Sequence, residues 1–420
     1  MTGNPKLIDK LYTDLPPNYR TLLDAVVISA EECGAQVHLV GGPVRDLLLG
    51  QSPQDIDLVI EGDAVVVARA TADRADARVK KVTRFGTATV CTDDCSLDLV
   101  TARTESYRRP GALPTVQPST LDDDLRRRDF SINAIAVSLN GPRRGAVIDP
   151  MGGRDDLKAG VIRALHSRSF QDDPTRILRA TRYEQRFGFS IEHETLSLIK
   201  RDLGTFSTVS GSRLRREIER TMREKRPELP LSRMETLGIL RAIQPGLGSG
   251  PNQAAALQRL RSMTEDSLAA AWALLCWNAD ANEIAAICLR LVLTRGQREA
   301  VKALPGLREA AKSLVRDCLP SEVVRLLGGF PLPAVVALTC AAGADAVRRQ
   351  ALDYIERLRY VRPTLRGDDL VRLGVLNGPR VGEAMSRLRD AKLDGQVRTR
   401  EHETARIRAM IAAWGEACAR

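Results

Sequence analysis

Three acidic residues stand out by type and spacing. Asp55 and Asp57 bracket an isoleucine in the run DIDLVI, and Asp98 interrupts the apolar run SLDLV. On a strand, residues two apart share a face, so both carboxylates point one way while Ile56 turns to the core. Such a pair can hold divalent cations about 3.5–4 Å apart for in-line displacement at phosphorus. An Asp-x-Asp alone fits a solvated strand edge equally well. Asp98 changes that balance, because a carboxylate in an apolar strand is costly unless it meets a metal or another cation. Just upstream, VHLVGGPVRDLLLG reads as a strand, a Gly41-Gly42 turn and a short helix. Glycines let backbone N–H groups approach phosphate oxygens closely. Pro43 presets the helix start, Gly50 closes it, and Arg45 in the first turn can fork onto phosphate oxygens. The two glycines by themselves also suit an ordinary strand–turn–helix.

A second set of residues suits recognition of a base. In DDPTRILRATR, residues 172–182, Asp173 before Pro174 makes a good helix cap. Arg176 follows three residues on, on the same helix face. A carboxylate beside a guanidinium presents an acceptor next to donors. Cytosine offers its N4 amino group beside the N3 acceptor, and adenine offers N6 beside N1, so both complement the pair. Uracil and guanine present the reverse pattern, and the unpaired groups they leave discriminate strongly. Capping and base reading both stay open for Asp173. Arg179 and Arg182 continue at three-residue steps, each about 60° further round the helix. Arg179 is expected near the nucleotide; for Arg182 an RNA phosphate and a helix brace are the alternatives.

The elements that must carry these residues change character near residue 165. Before it, short β-branched runs (VHLVGG, DIDLVI, ATVCT, SLDLVTA, INAIAVSL, VIDP, VIRAL) alternate with helical stretches. After it, helical patterns dominate, punctuated by Pro and Gly. With 420 residues, more than one domain is expected. The net charge of +10 and a pI near 9.4 favour a polyanionic partner. The eight cysteines form no Cys-x-x-Cys pair, and only four histidines occur, which argues against a zinc ribbon, a disulfide framework or a histidine-rich metal site. No apolar run reaches the ~18 residues of a membrane span, and the N-terminus lacks a signal-peptide pattern. A cytoplasmic location is therefore expected, with no membrane association.

The order of these motifs resembles the tRNA nucleotidyltransferase/poly(A) polymerase family of the bacterial and eukaryotic type, within the DNA polymerase β-like superfamily. The likeness continues through LDLVTARTESYRRPGALPTV, DDDLRRRDFSINAIAV, VIDPMGGRDDLKAGVIRAL and FQDDPTRILRATRYEQRFGF, and more weakly through VSGSRLRREIERTM. It implies an α+β fold: a DNA polymerase β-like nucleotidyltransferase head over residues 1–165, a helical neck for base recognition over 166–230, and a helical body and tail for tRNA over 231–420. It also implies roles. Gly41, Gly42 and Arg45 hold the triphosphate, and Asp55 and Asp57 bind Mg2+. Asp98 fills the third acid position and helps deprotonate the primer hydroxyl. Arg128, with Arg127 and Asp129 close by, belongs to the nucleotide pocket, and Asn133 faces the ribose. Asp173 and Arg176 read the base, with Arg179 and Arg182 as further nucleotide contacts. Where the family often has Glu-Asp, this chain has Asp172-Asp173, which keeps the base-reading acid.

The implied reaction is transfer of CMP and AMP from CTP and ATP to the 3′ end of tRNA, with release of pyrophosphate. The alternatives are an enzyme adding only A to CC-ended tRNA, a poly(A) polymerase, and a non-catalytic RNA-binding protein on the same scaffold. The Arg103–Thr120 segment is long enough for a mobile element that resizes the pocket between C and A. In the C-terminal segment, Gly378-Pro379-Arg380 reads as a turn between helices, and Arg380, Arg387 and Arg389 are candidate contacts to tRNA phosphates. Aromatics make up only 4% of the chain, so shape and backbone charge are expected to outweigh base stacking. No protein partner is expected.

Overall fold

The computed structural model describes residues 5–53, 55–83, 86–263 and 267–418. The chain divides into two compact units, Met1–Glu217 and Ile218–Arg420. Among the described residues no single helix is long and apolar enough to cross a membrane.

The first unit opens with α1 (Pro5–Asp14) and α2 (Pro17–Glu32), followed by β1 (Gln36–Val40), α3 (Gly42–Leu48), β2 (Asp57–Glu61) and α4 (Ala64–Arg74). Then come β3 (Arg78–Val82), β4 (Thr87–Cys91) and β5 (Ser96–Thr101). The hairpin β6 (Arg103–Ser106) and β7 (Thr115–Pro118) leads to α5 (Leu121–Arg126), β8 (Ala136–Ser138) and β9 (Val147–Ile148). The unit continues with α6 (Gly153–Ala159), β10 (Val161–Ile162), α7 (Ser169–Asp172), α8 (Thr175–Phe187), β11 (Ser190–Ile191), α9 (His193–Asp202) and α10 (Gly211–Met222), which runs past the unit boundary. The main sheet has the order β3-β4-β5-β2-β1-β8-β9. β2 pairs antiparallel with β1 and parallel with β5, and the second register sets Asp57 directly beside Asp98. The apolar partners Leu58 and Leu99 are fully buried beneath this acid pair.

Two readings of the sequence need correction here. Asp55 was expected in the same strand as Asp57, but β2 starts at Asp57 and Asp55 sits in a bend ahead of it. The β1–β2 pairing ends at Leu39–Leu58, because β1 turns off at Gly41, so no ladder extends back to Asp55. Ile56 is buried between the two exposed acids as alternation requires. The second correction concerns INAIAVSL, which is not one strand. Residues Ser131–Asn133 form a 3₁₀ turn, and only Ala136–Ser138 joins the sheet. The buried Ser131 donates its hydroxyl to buried Asp156 at 2.5 Å, and its N–H to the Arg163 carbonyl at 3.0 Å. Side-chain bonding of this kind competes with a ladder and fixes the turn.

The Arg103–Thr120 segment is a β-hairpin rather than an open loop. Its tip is tied down at Gly111, whose N–H donates to the Gln171 carbonyl and whose carbonyl accepts from Arg213 Nη1, at 3.1 and 3.0 Å.

Among its described residues the second unit holds helices and no strand. Two of its apolar clusters lie toward the C-terminal part of the sequence. One gathers Leu307, Leu327, Leu338 and Tyr354; the other gathers Leu365, Leu388, Ile407 and Met410. The second cluster is closed by Glu403, fully buried, which accepts from the N–H groups of Thr364 and Leu365 and from Lys392 Nζ.

Gly153 shows how tightly the 3₁₀ turn is held. A Cβ there would lie 2.1 Å from the Ser131 carbonyl oxygen and 2.8 Å from Ile135 Cγ1. Overpacking against backbone in a filled interior costs about 1–3 kcal/mol and moves the backbone. Gly153→Ala is expected to lose at least about 2 kcal/mol in urea unfolding and to weaken nucleotide binding, because the displaced turn carries Asn133. Unchanged stability together with unchanged nucleotide affinity would contradict this packing.

Candidate active site

The first unit holds a cleft of about 450 Å³ lined by the glycine turn, the residues that follow α5, and α8. The turn comes first in the chain. Gly41 has φ of 74°, a left-handed conformation that glycine adopts freely, and a Cβ there would meet Arg128 Nη1 at 2.6 Å. Gly42 also lines the cleft. Arg45 is buried, and each of its nitrogens is directed. Nη1 donates to Asn133 Oδ1 at 2.7 Å, while Nε and Nη2 donate to Asp46 Oδ1 at 2.9 and 2.8 Å. The guanidinium lies 4.6 Å from the Phe187 ring, a cation–π contact that holds it from the far side.

Arg127 and Arg128 follow α5 and share one fully buried carboxylate. Asp124 Oδ1 accepts from Arg127 Nη2 at 2.5 Å and Nε at 3.0 Å, and Oδ2 accepts from Arg128 Nη2 at 2.9 Å. Burial would raise the Asp124 carboxyl, but the two guanidiniums outweigh it and hold it below the usual carboxylate range. On the hairpin, Glu105 accepts from Arg127 Nη1 at 2.8 Å and from the Tyr107 hydroxyl at 2.7 Å. Burial and the Glu105 charge push the Tyr107 phenol upward, so it stays a donor.

Asp129 repeats the arrangement for α8. Its Oδ1 accepts from the Phe130 N–H and from Asn133 Nδ2, and its Oδ2 lies 2.6 Å from Arg179 Nη2 as an ion pair. Asn133 thus bridges Arg45 and Asp129 with its two ends, which fixes its orientation. Arg128 Nε and Arg179 Nε are buried without a hydrogen-bond partner among the described residues. Both residues line the cleft.

Asp173 sits between α7 and α8 in an extended conformation. Its Oδ1 accepts from the Thr175 N–H at 3.0 Å, the Thr175 hydroxyl at 2.7 Å and Arg213 Nη2 at 2.8 Å. The capping reading is therefore met by one oxygen. Arg176 is buried and donates through Nη1 to Ser169 Oγ at 2.8 Å and through Nη2 to the Arg127 carbonyl at 2.6 Å. Five N–H groups on a guanidinium leave three of them for other partners. Both side chains line the cleft.

Asp57 lines the same cleft. Partial withdrawal from water pushes its carboxyl up, and the Asp55 and Asp98 charges add to this against the pull of Arg128. Asp98 is exposed on β5, where its Oδ1 accepts from the Thr89 hydroxyl at 2.5 Å. Asp57, with the Asp55 and Asp98 carboxylates close enough for their charges to act on it, belongs to a donor set suited to a hard divalent cation.

Some expected residues fall elsewhere. Asp55 and Asp98 flank Asp57 without lining the cleft itself. Arg182 does not line it either; it is buried and pairs with Glu217 of α10 at 3.1 Å, which places it as a helix brace. In the second unit, Arg380 lies over the Trp414 ring at 5.4 Å, Arg387 pairs with Glu383 at 2.7 Å, and Arg389 donates to backbone carbonyls. Five residues of the cleft wall were not singled out from the sequence: Glu105, Tyr107, Pro114, Tyr183 and Arg213. The Tyr183 ring has Arg45, Arg179, Arg182 and Arg186 within 6 Å of its centre. The arginine-rich spacing around it was the available signal.

Residues 37–163 match the family described as the poly A polymerase head domain, and residues 188–249 match a probable RNA- and SrmB-binding site of polymerase A. An A-adding tRNA nucleotidyltransferase of Geobacter sulfurreducens is 36% identical over 89% of this chain, which spans only 45% of that longer protein. An A-adding tRNA nucleotidyltransferase of Halalkalibacterium halodurans is 32% identical, with 94% of this chain and 93% of that protein covered. The CCA-adding enzyme of Thermotoga maritima, solved in complex with tRNA, superposes with a TM-score of 0.80 at 30% identity, covering 98% of this chain and 99% of that one. Sequence identity along nearly the whole length of a relative, together with a shared fold, establishes that the chain belongs to the tRNA nucleotidyltransferase/poly(A) polymerase family.

Proposed function

We propose that the chain adds CMP and AMP, from CTP and ATP, to the 3′ end of tRNA without a nucleic-acid template, releasing pyrophosphate. The observation that carries this reading is that one cleft gathers a glycine turn, an acid with a raised proton affinity and a carboxylate–guanidinium pair. These suit, in turn, a triphosphate, a metal-assisted displacement and a base.

Enzymes of this family use a divalent metal, and we assign Mg2+ here. Asp55 and Asp57 would hold it, and when bound it supplies charge neutralisation and a lowered pKa for the attacking hydroxyl. Among the described residues no three His, Cys, Asp or Glu side chains close into a ready-made cage. Mg2+ commonly uses one or two carboxylates and completes its shell with substrate phosphates, so this donor set fits. The remaining work falls to the chain's own groups. Gly41, Gly42 and Arg45 receive the triphosphate, with Arg45 already aimed by Asp46 and Asn133. Asn133 and the Arg128 and Arg179 guanidiniums stand beside the space for the sugar. Asp98 accepts the proton leaving the primer hydroxyl. Asp173 keeps Oδ2 for a base amino group while its Oδ1 caps α8, and Arg176 donates to the ring nitrogen beside that amino group.

Arg380, Arg387 and Arg389 remain the proposed phosphate contacts of the second unit. A second reading, addition of A alone to CC-ended tRNA, is favoured by the A-adding names of the Geobacter and Halalkalibacterium relatives.

Replacing Asp57 with Ala is expected to lower addition by at least a thousandfold while tRNA affinity stays within about twofold, since the acid serves chemistry and not RNA grip. Near-normal turnover with Mg2+ present would remove Asp57 from the metal site. The product is settled with three primers: tRNA ending before CCA, in C and in CC. Growth by three, two and one nucleotides is the expected pattern. Growth of the CC-ended primer alone would replace it with A-only addition, and long adenylate tails on unstructured RNA would point to poly(A) synthesis.

A further inference from the structure

Several arginines of the second unit pair with carboxylates, Arg295 with Glu299 and Arg357 with Asp353 among them, whereas Arg362 and Arg389 meet on the same backbone carbonyls. The 3₁₀ turn Leu358–Tyr360 exposes the carbonyls of Arg359 and Val361, and two guanidiniums cap both. Arg362 Nη1 donates to Arg359 O at 2.7 Å and to Val361 O at 3.0 Å. Arg389, from the helix Pro379–Leu393, donates through Nε to Val361 O at 3.1 Å and through Nη2 to Arg359 O at 3.4 Å. Sharing acceptors forces two cations side by side. Among the described residues neither has a carboxylate at ion-pair distance; the neighbouring Asp390 pairs with Arg325 at 3.5 Å. Burial and the Arg362 charge both disfavour the Arg389 cation, against weaker pulls from Tyr354 and Asp390. In the same turn Tyr360 is 63% exposed, with the Arg359 guanidinium 4.9 Å from its ring centre.

Each carbonyl oxygen has two lone pairs and can accept from both arginines, but capping leaves the two like charges beside each other uncompensated. An anion bridging two guanidiniums offsets their repulsion and uses their remaining N–H groups. An exposed aromatic ring next to that anion suits a nucleobase. We propose that Tyr360, Arg362 and Arg389 form an RNA-docking site, in which one backbone phosphate bridges the two guanidiniums and an adjacent unpaired base stacks on Tyr360. The assignment of RNA rests on the function proposed above. It gives base stacking a place in the RNA grip that the low aromatic content did not suggest.

The test measures binding of a labelled, CC-ended tRNA across a salt series, together with AMP addition to that tRNA and to a short CC-ended duplex without loop nucleotides. Arg362→Gln should weaken tRNA binding about five- to tenfold and reduce the salt slope by about one, as expected for one lost phosphate contact. Tyr360→Ala should weaken it about fivefold with the slope unchanged, and Tyr360→Phe should restore it. Addition to the short duplex should stay within about twofold in all variants, which also shows that they fold. Wild-type affinity and slope in Arg362→Gln, or equal losses on tRNA and duplex, would overturn the site. If the unaltered protein adds AMP to neither RNA, the proposed function fails, while the binding series still decides the docking site by itself.

Discussion

The first unit depends on keeping many like charges in one place. Arg45, Arg127, Arg128, Arg176, Arg179 and Arg213 all line a cleft of about 450 Å³. Two unit charges about 6 Å apart repel by roughly 3 kcal/mol at an effective dielectric of about 20. Unpaired, the six would splay outward. Instead, acids hold five of them: Asp46 for Arg45, Asp124 for Arg127 and Arg128, Glu105 for Arg127, Asp129 for Arg179, and Asp173 for Arg213; Arg176 is held by the Ser169 hydroxyl and the Arg127 carbonyl. The guanidiniums therefore face the cleft already oriented, and little reorganisation is left for the moment a nucleotide arrives. The acids divide by the same logic. Asp124 is held low because its two cations outweigh its burial, whereas Asp57 is raised by withdrawal from water, with the Asp55 and Asp98 charges adding against the pull of Arg128. The first is a structural counter-ion, and the second still seeks positive charge.

What could be read from the sequence was local. The strand–glycine–helix run from Val37 to Gly50 formed as its residues dictate, because glycine conformational freedom, proline at a helix start and an apolar alternation act within a few residues. The likeness of Asp57 and Asp98 to strand acids was also legible, since each interrupts an apolar run; their adjacency was not, because it comes from a parallel register between strands separated by α4, β3 and β4. Asp55 fell outside its strand because a neighbouring strand ended, a fact that no pattern around Asp55 contains. Glu105 and Arg213 escaped notice for the same reason. Glu105 reaches Arg127, and Arg213 reaches both Asp173 and Gly111, across long chain separations. Arg182 shows the converse: its spacing matched that of Arg176 and Arg179, yet the turn of the helix carried it to Glu217.

Asp173 had two readings, a helix cap and a base reader, and the geometry removes the conflict between them. Among the described residues all of its hydrogen bonds fall on Oδ1, so capping and the Arg213 pair orient the carboxylate while Oδ2 takes no hydrogen bond, and Asp173 lines the cleft. A fixed acceptor beside the Arg176 donors is what a protein needs to choose C and A over U and G with no template strand. The most direct measurement of that claim is nucleotide selectivity in Asp173→Ala and Arg176→Ala, scored as incorporation of UTP and GTP relative to CTP and ATP on one CC-ended and one C-ended tRNA. The account predicts that selectivity falls by at least tenfold in both variants while some addition persists. Wild-type selectivity in both would show that Asp173 is a cap only, and that the cleft chooses its base by other means.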